Sequence, residues 1–197
     1  MQNAKNTNLV YEILDSEKTT FEWLKSMRKY ANSFEAPNKK LKEITVSSEW
    51  LKTYGVAHGY NEESFIAVDD QDRWPDCEVK MTTGKLCGIE VTELVDSECI
   101  KLNEKNNDVY RHWSNEDIIE EIEKRLRKKD TGSHGGKYQK LIVLIHTDEF
   151  EIDYETFNKI IIEHEFSGLK NIDEAYLVYS YDPRYKHYPV SVLKLSE

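Results

Sequence analysis

The segment KLIVLIHT, residues 140–147, holds five consecutive aliphatic side chains, Leu141 to Ile145, with no polar position among them. A strand with no face to offer water is stable only with packed layers on both sides. That is the situation of a strand inside a partly parallel sheet. The segments around it supply the layers. SNEDIIEEIEKRLRKK (114–129) places Ile118, Ile119, Ile122 and Leu126 on one helical stripe. Ser114 with Asp117 three residues on resembles a capping box, and the helix should end near Lys129. YETFNKIIIEHEF (154–166) reads as a second helix, and EAYLVYSY (174–181) and YPVSVLKL (188–195) as strands.

Upstream, TFEWLKSMRKYANSF (20–34) has helical spacing with Thr20 as N-cap, and APNKKLKE breaks it. Ser47 or Ser48 caps a short helix through Tyr54, and SFIAVDD (64–70) reads as a strand. A hairpin follows, with strands at 75–81 and 86–95. Strands alternating with helices in the second half require crossover connections. The expected fold class is α/β (α+β), a central mixed β-sheet flanked by helices, in a single domain of 197 residues.

A formal charge of −10 excludes a protein that coats nucleic acid by bulk electrostatics, while leaving room for a local basic groove. No apolar run approaches the roughly 18 residues of a membrane span. MQNAKNTNLVYEILDSEK lacks the apolar core of a signal peptide. Cys77, Cys87 and Cys99 are odd in number and show no CxxC spacing, which fits a cytoplasmic protein with free thiols.

The hairpin carries the candidate chemistry. In RWPDCEVKMTTGKLCGIEVTELVD (73–96), Cys77, Val79 and Met81 share one strand face, and Asp76, Glu78 and Lys80 the other. On the second strand Cys87, Ile89 and Val91 are apolar, with Gly88, Glu90 and Thr92 opposite. Glu93 breaks the alternation, since its parity puts it on the apolar face; it is either the frayed end of the strand or a functional carboxylate. If TTG is a three-residue loop with Gly84 left-handed, Met81 pairs with Lys85. Asp76 then faces Glu90, and Glu78 faces Gly88. A two-residue loop would instead put Asp76 opposite Val91. Like charges directly opposite one another destabilise a sheet, and a divalent cation on oxygen ligands would neutralise them. The ordinary alternative is a solvated outer face where acids need no partner.

At these residues the chain resembles the PD-(D/E)xK nuclease superfamily, the restriction-endonuclease-like fold. Pro75–Asp76 matches the PD element, and Glu90–Val91–Thr92 stands at the (D/E)xK element, with thirteen residues between the two acids. The resemblance covers about 47–147, a core of helix, three strands, helix and strand. It implies a metal-dependent nuclease acting on DNA, with Mg²⁺ (or Mn²⁺) held by Asp76, Glu90 and the Val91 carbonyl, and Glu78 serving a second metal or a bridging water. Thr92 departs from the pattern, because it supplies no positive charge where the family has lysine. The helix over 115–129 offers substitutes: Arg125 and Lys129 face the sheet, with Lys128 behind them. The rival account of these cations is a helix C-terminus favoured by the macrodipole.

Between Lys124 and Lys140 stand seven Lys or Arg and one acid, Asp130, so Lys128, Lys137 and Lys140 are candidates for nucleic-acid phosphates. The loop TGSHGGKY is not a Walker loop and reads as a connection. YSYDPRYKHYPV (179–190) interleaves tyrosines and cations, but reads first as a turn with tyrosines covering the sheet edge. His146 and Asp148 end the buried strand where a crevice would open. A homodimer would serve an enzyme that cuts both strands of DNA. Two other functions fit the same residues: a catalytically inactive nuclease-fold module that binds or regulates, and an acidic protein-interaction module.

Overall fold

The computed structural model describes residues 39–68, 74–103, 111–130, 136–149 and 151–196. The helix expected over 20–34 lies outside the described residues, as does most of the TGSHGGKY loop. Helix α1 (Lys39–Trp50) continues through a π-helical turn (Leu51–Gly55) and a 3-10 turn (Val56–His58) into β1 (Tyr60–Ala67). The hairpin strands β2 (Cys77–Met81) and β3 (Leu86–Glu93) follow, then α2 (Ser97–Asn103), α3 (Asn115–Lys129), β4 (Lys140–His146) and α4 (Tyr154–Glu163). Strands β5 (Glu165–Ser167), β6 (Glu174–Val178) and β7 (Val190–Ser196) complete the chain.

The seven strands form one mixed sheet in the order β1-β2-β3-β4-β6-β7-β5. Strand β4 runs parallel to both of its neighbours, β3 and β6, so the apolar segment lies inside the sheet. Leu141 to Ile145 are all fully buried. Leu141, Val143 and Ile145 pack under α3 and α4 with Ile118, Ile122, Leu126, Phe157 and Ile161. Ile142 and Leu144 pack on the other side with Val46, Trp50 and Leu51 of α1 and its extension. Burying each such side chain contributes about 1.5–3 kcal/mol. The result is an α+β fold with helices on both faces of a central mixed sheet. No helix among the described residues is long and apolar enough to cross a membrane.

Helix α3 begins as its sequence indicates: Ser114 Oγ accepts from Asp117 N at 3.1 Å, and Asp117 Oδ2 accepts from Ser114 N at 3.1 Å. Three of the boundaries that differ from expectation have a visible cause. Helix α1 begins at Lys39, inside the segment read as a break, and Ser47 is a buried helical residue rather than a cap. Its buried positions are Glu43, Val46, Ser47 and Trp50. That is a regular helical stripe, hidden in the sequence because two of its four members are polar. Strand β1 starts at Tyr60, which is buried, and not at Ser64. The second long helix stops at Glu163 because buried Phe166 falls off its stripe and enters β5, which pairs with β7. Helix α2 occupies part of a stretch with no apolar periodicity.

Candidate active site

The hairpin turn sets the register. Met81 N donates to Lys85 O at 2.8 Å, Gly84 N to Met81 O at 2.9 Å, and Gly84 takes φ = +84°. Cys77 pairs with Ile89 and Glu78 with Gly88. One more step along the same antiparallel pairing sets Asp76 across from Glu90, as the three-residue loop requires. Cys77, Val79, Cys87 and Ile89 are fully buried on the α1 side, which sends the acids to the α3 side. All three cysteines are free and buried.

Asp76 Oδ2 accepts a hydrogen bond from Val91 N at 2.8 Å. Val91 therefore meets Asp76 through its N–H. Glu90 is 6% exposed, and Lys129 at the end of α3 forms an ion pair and hydrogen bond with its Oε2. Burial first, and then the neighbouring charge of Asp76, push the Glu90 carboxyl above the usual carboxylate range, although Lys129 pulls the other way. The two acids thus lie close enough for their charges to interact, with Lys129 directly on Glu90.

Arg125 fixes the helix that delivers Lys129. Its Nε donates to Glu93 O at 2.6 Å and its guanidinium also donates to Val95 O at 3.1 Å, while Glu121 grips it from the preceding turn. This guanidinium is committed to the end of β3, one turn before Lys129. The structure brings together Asp76, Glu90, Val91 and Lys129, and gives Arg125 an anchoring position. Thr92 sits two residues beyond Glu90 on the same strand face and lines a cleft of about 570 Å³ with Asp96, Arg111, Lys124, Arg125 and Lys128.

Glu78 is drawn away from the acid pair. Lys137 and Tyr138 OH both donate to its Oε1. Burial opposes ionisation there, yet those two bonds hold the carboxyl below its ordinary range. Lys140 pairs with Glu174, which also accepts from Tyr60 OH at 2.6 Å and Tyr176 OH at 2.8 Å. Glu93 ends β3 paired with Lys42 of α1, which answers its odd parity. His146 is fully buried; its Nδ1 bonds to Val178 O at 3.1 Å, and its Nε2 lies 3.2 Å from Asp148 without a hydrogen bond's alignment. These two residues line no open crevice, since Asp148 is 8% exposed.

One site residue escaped the sequence reading. Glu43 of α1 is 6% exposed and adds its charge to the field that raises Glu90. Lys39 and Lys40 stand 3.2 Å and 3.7 Å from it, and Lys40 also donates to the Asp76 carbonyl. The available signal was a carboxylate on the stripe 43, 46, 47, 50.

Among the described residues no three His, Cys, Asp or Glu side chains form a ready-made metal cage. Two neighbouring carboxylates still match Mg²⁺, which takes one or two from a protein and keeps waters or substrate phosphate elsewhere. Comparison of the chain with known protein families, with curated proteins and with solved structures finds no match in any of the three.

Proposed function

We propose that the chain is a metal-dependent nuclease of the PD-(D/E)xK type that hydrolyses phosphodiester bonds in DNA. The observation that carries this reading is Lys129 on Glu90, opposite Asp76: a helix supplies the cation that Thr92 lacks. Support also comes from the strand order, with Asp76 immediately before β2, Glu90 on the adjacent β3, and a helix leading into a parallel β4. Asp76 and Glu90 would hold Mg²⁺ or Mn²⁺, which when bound supplies a Lewis acid and lowers the pKa of a coordinated water.

The chain's own groups have defined tasks in this reading. The Val91 N–H orients the Asp76 carboxylate. Lys129 opposes the effect of burial on Glu90 and presents positive charge where a phosphate would develop negative charge. Arg125 keeps α3 in place. Lys124, paired with Glu121, and Lys128 line the cleft beside Glu93, Asp96 and Glu98, and would meet a phosphate backbone that enters it.

Purified protein with Mg²⁺ or Mn²⁺ should cleave DNA, and Asp76→Asn should remove the activity. Lys129→Met should slow it by about 10²–10³-fold, the scale of losing one preorganised charged donor. Cleavage at wild-type rate by Asp76→Asn would refute the reading. A second reading, a silent nuclease-fold binding module, is favoured by Thr92, which carries no charge at the position of the family's lysine. It predicts that Mg²⁺ leaves the melting temperature unchanged, whereas a metal bound to the folded state raises it.

A further inference from the structure

Trp74 and Tyr138 stand beside the acid pair and have no task in the chemistry proposed for it. The chain enters β2 through Trp74 and Pro75, and both rings lie against Gly88 of β3. A Cβ on that glycine would come 3.1 Å and 3.2 Å from Pro75 Cγ and Cβ, and 3.4 Å from Trp74 Cη2. Gly88 and Glu90 share a strand face, so the indole lies on Glu90's side of the sheet, two residues or about 7 Å along. Tyr138 braces it edge-on, with ring centroids 5.0 Å apart at 81°. Lys137 Nζ lies 4.8 Å over the Tyr138 ring. Glu78, the nearby acid, is covered by Lys137 and Tyr138. Trp74 still exposes 37% of its surface.

A fixed, exposed indole whose neighbouring carboxylate is neutralised by lysine suits a flat uncharged ring carried on an anionic backbone. In an intact duplex the bases are stacked on one another and present only their edges in the grooves. We infer that Trp74, braced by Tyr138, is a stacking platform for an unpaired nucleobase beside the acid pair, so that the substrate of this site is single-stranded DNA. The inference rests on the nucleic-acid reading above and names its substrate class.

An abasic scan tests it. A fluorescein-labelled 12-nucleotide single strand and the matching blunt duplex are titrated in EDTA, where cleavage does not intrude, against wild type, Trp74→Ala and Trp74→Phe. Trp74→Ala should weaken single-strand binding about tenfold or more, and Trp74→Phe much less. Removing the base at one position of the strand should cost wild type a similar factor and cost Trp74→Ala nothing further, a non-additivity that a merely structural tryptophan does not produce. The scan in wild type stands even where Trp74→Ala fails to fold. Equal binding of every abasic strand, tighter binding of the duplex, or no binding of any oligonucleotide overturns the platform. The nuclease reading fails separately: base-sensitive binding with no cleavage in Mg²⁺ or Mn²⁺ keeps the platform and removes the nuclease. Cleavage without base sensitivity does the reverse.

Discussion

Glu90 and Glu149 are buried to the same degree, 6% and 4% exposed, and the contacts described for them differ in kind. Glu149, just past β4, accepts from Asp96 N at 2.7 Å and from the Trp113 indole N–H at 3.4 Å. These two donors are neutral and distant in sequence, and they tie the end of β3 and the segment leading into α3 to the end of β4. Glu90 instead faces the charges of Asp76 and Glu43, with Lys129 reaching in from a helix end. A carboxylate bound by neutral donors has its lone pairs satisfied and holds the fold together. One crowded by like charges holds unfavourable electrostatic energy, which is worthwhile only where a cation or substrate later answers it. Burial alone therefore does not mark a site. The sign of the neighbouring charges does.

The comparison breaks most visibly in paired substitutions. Glu90→Gln removes a buried like-charge contact at constant shape, so cleavage should fall by about 10²–10³-fold or more while the melting temperature stays level or rises. Glu149→Ala should do the opposite. It strands a half-buried backbone N–H and a buried indole N–H, a loss of about 2–3 kcal/mol, or roughly 4–12 °C in melting temperature, with activity per folded molecule retained. Melting curves and cleavage rates on both proteins decide it. A Glu90→Gln protein that melts as low as Glu149→Ala would show that Glu90 too is a structural group.

The legible parts of this molecule were those encoded locally. Gly84 in TTG fixed the hairpin register, because one left-handed residue selects the loop and the loop selects every pair beyond it. Lys129 could be placed on the sheet side of α3 since it continues the stripe of Ile118, Ile122 and Leu126 on a capped, amphipathic helix. Glu43 could not. Its segment, APNKKLKE, carries three lysines and a proline, and the stripe becomes regular only once a carboxylate and a serine are admitted as buried residues. The partner of Lys140 is hidden in the sequence for a different reason. Lys140 looks like the last cation of a basic run, but its partner Glu174 belongs to a strand that becomes its neighbour only through the α4 crossover.

A smaller effect sharpens the account of how Asp76 is aimed. Gly88 leaves room for Pro75 and Trp74, and the residue after Pro75 is Asp76. Gly88→Ala places a methyl 3.1 Å from the proline ring, so the ring must yield by a few tenths of an ångström. Overpacking of this kind costs about 1 kcal/mol, or roughly 2–4 °C in melting temperature. The cleavage rate should fall with it, because the displaced ring carries the Asp76 backbone along. Unchanged stability together with unchanged rate would show that Pro75 does not position the acid.

The smallest effect concerns acid pH and belongs to the Glu149 side of the comparison. Hydrogen bonds from Ser114, side chain and backbone, and then from Arg111, lower the Asp117 carboxyl to about 2. Arg111 bridges Asp117 at 2.6 Å and Asp96 at 3.1 Å, which couples the start of α3 to the end of β3. The folded-state value lies below the unfolded value of about 3.9. The stabilisation is therefore complete above about pH 4 and is lost as pH falls from there toward 2. Asp117→Asn should flatten that limb of the melting-temperature profile, leaving the slope above pH 5 as in wild type. Arg111 remains charged throughout, so the titrating partner is the carboxylate. An acid limb as steep in Asp117→Asn as in wild type would move its origin elsewhere and leave the cap as geometry without linkage.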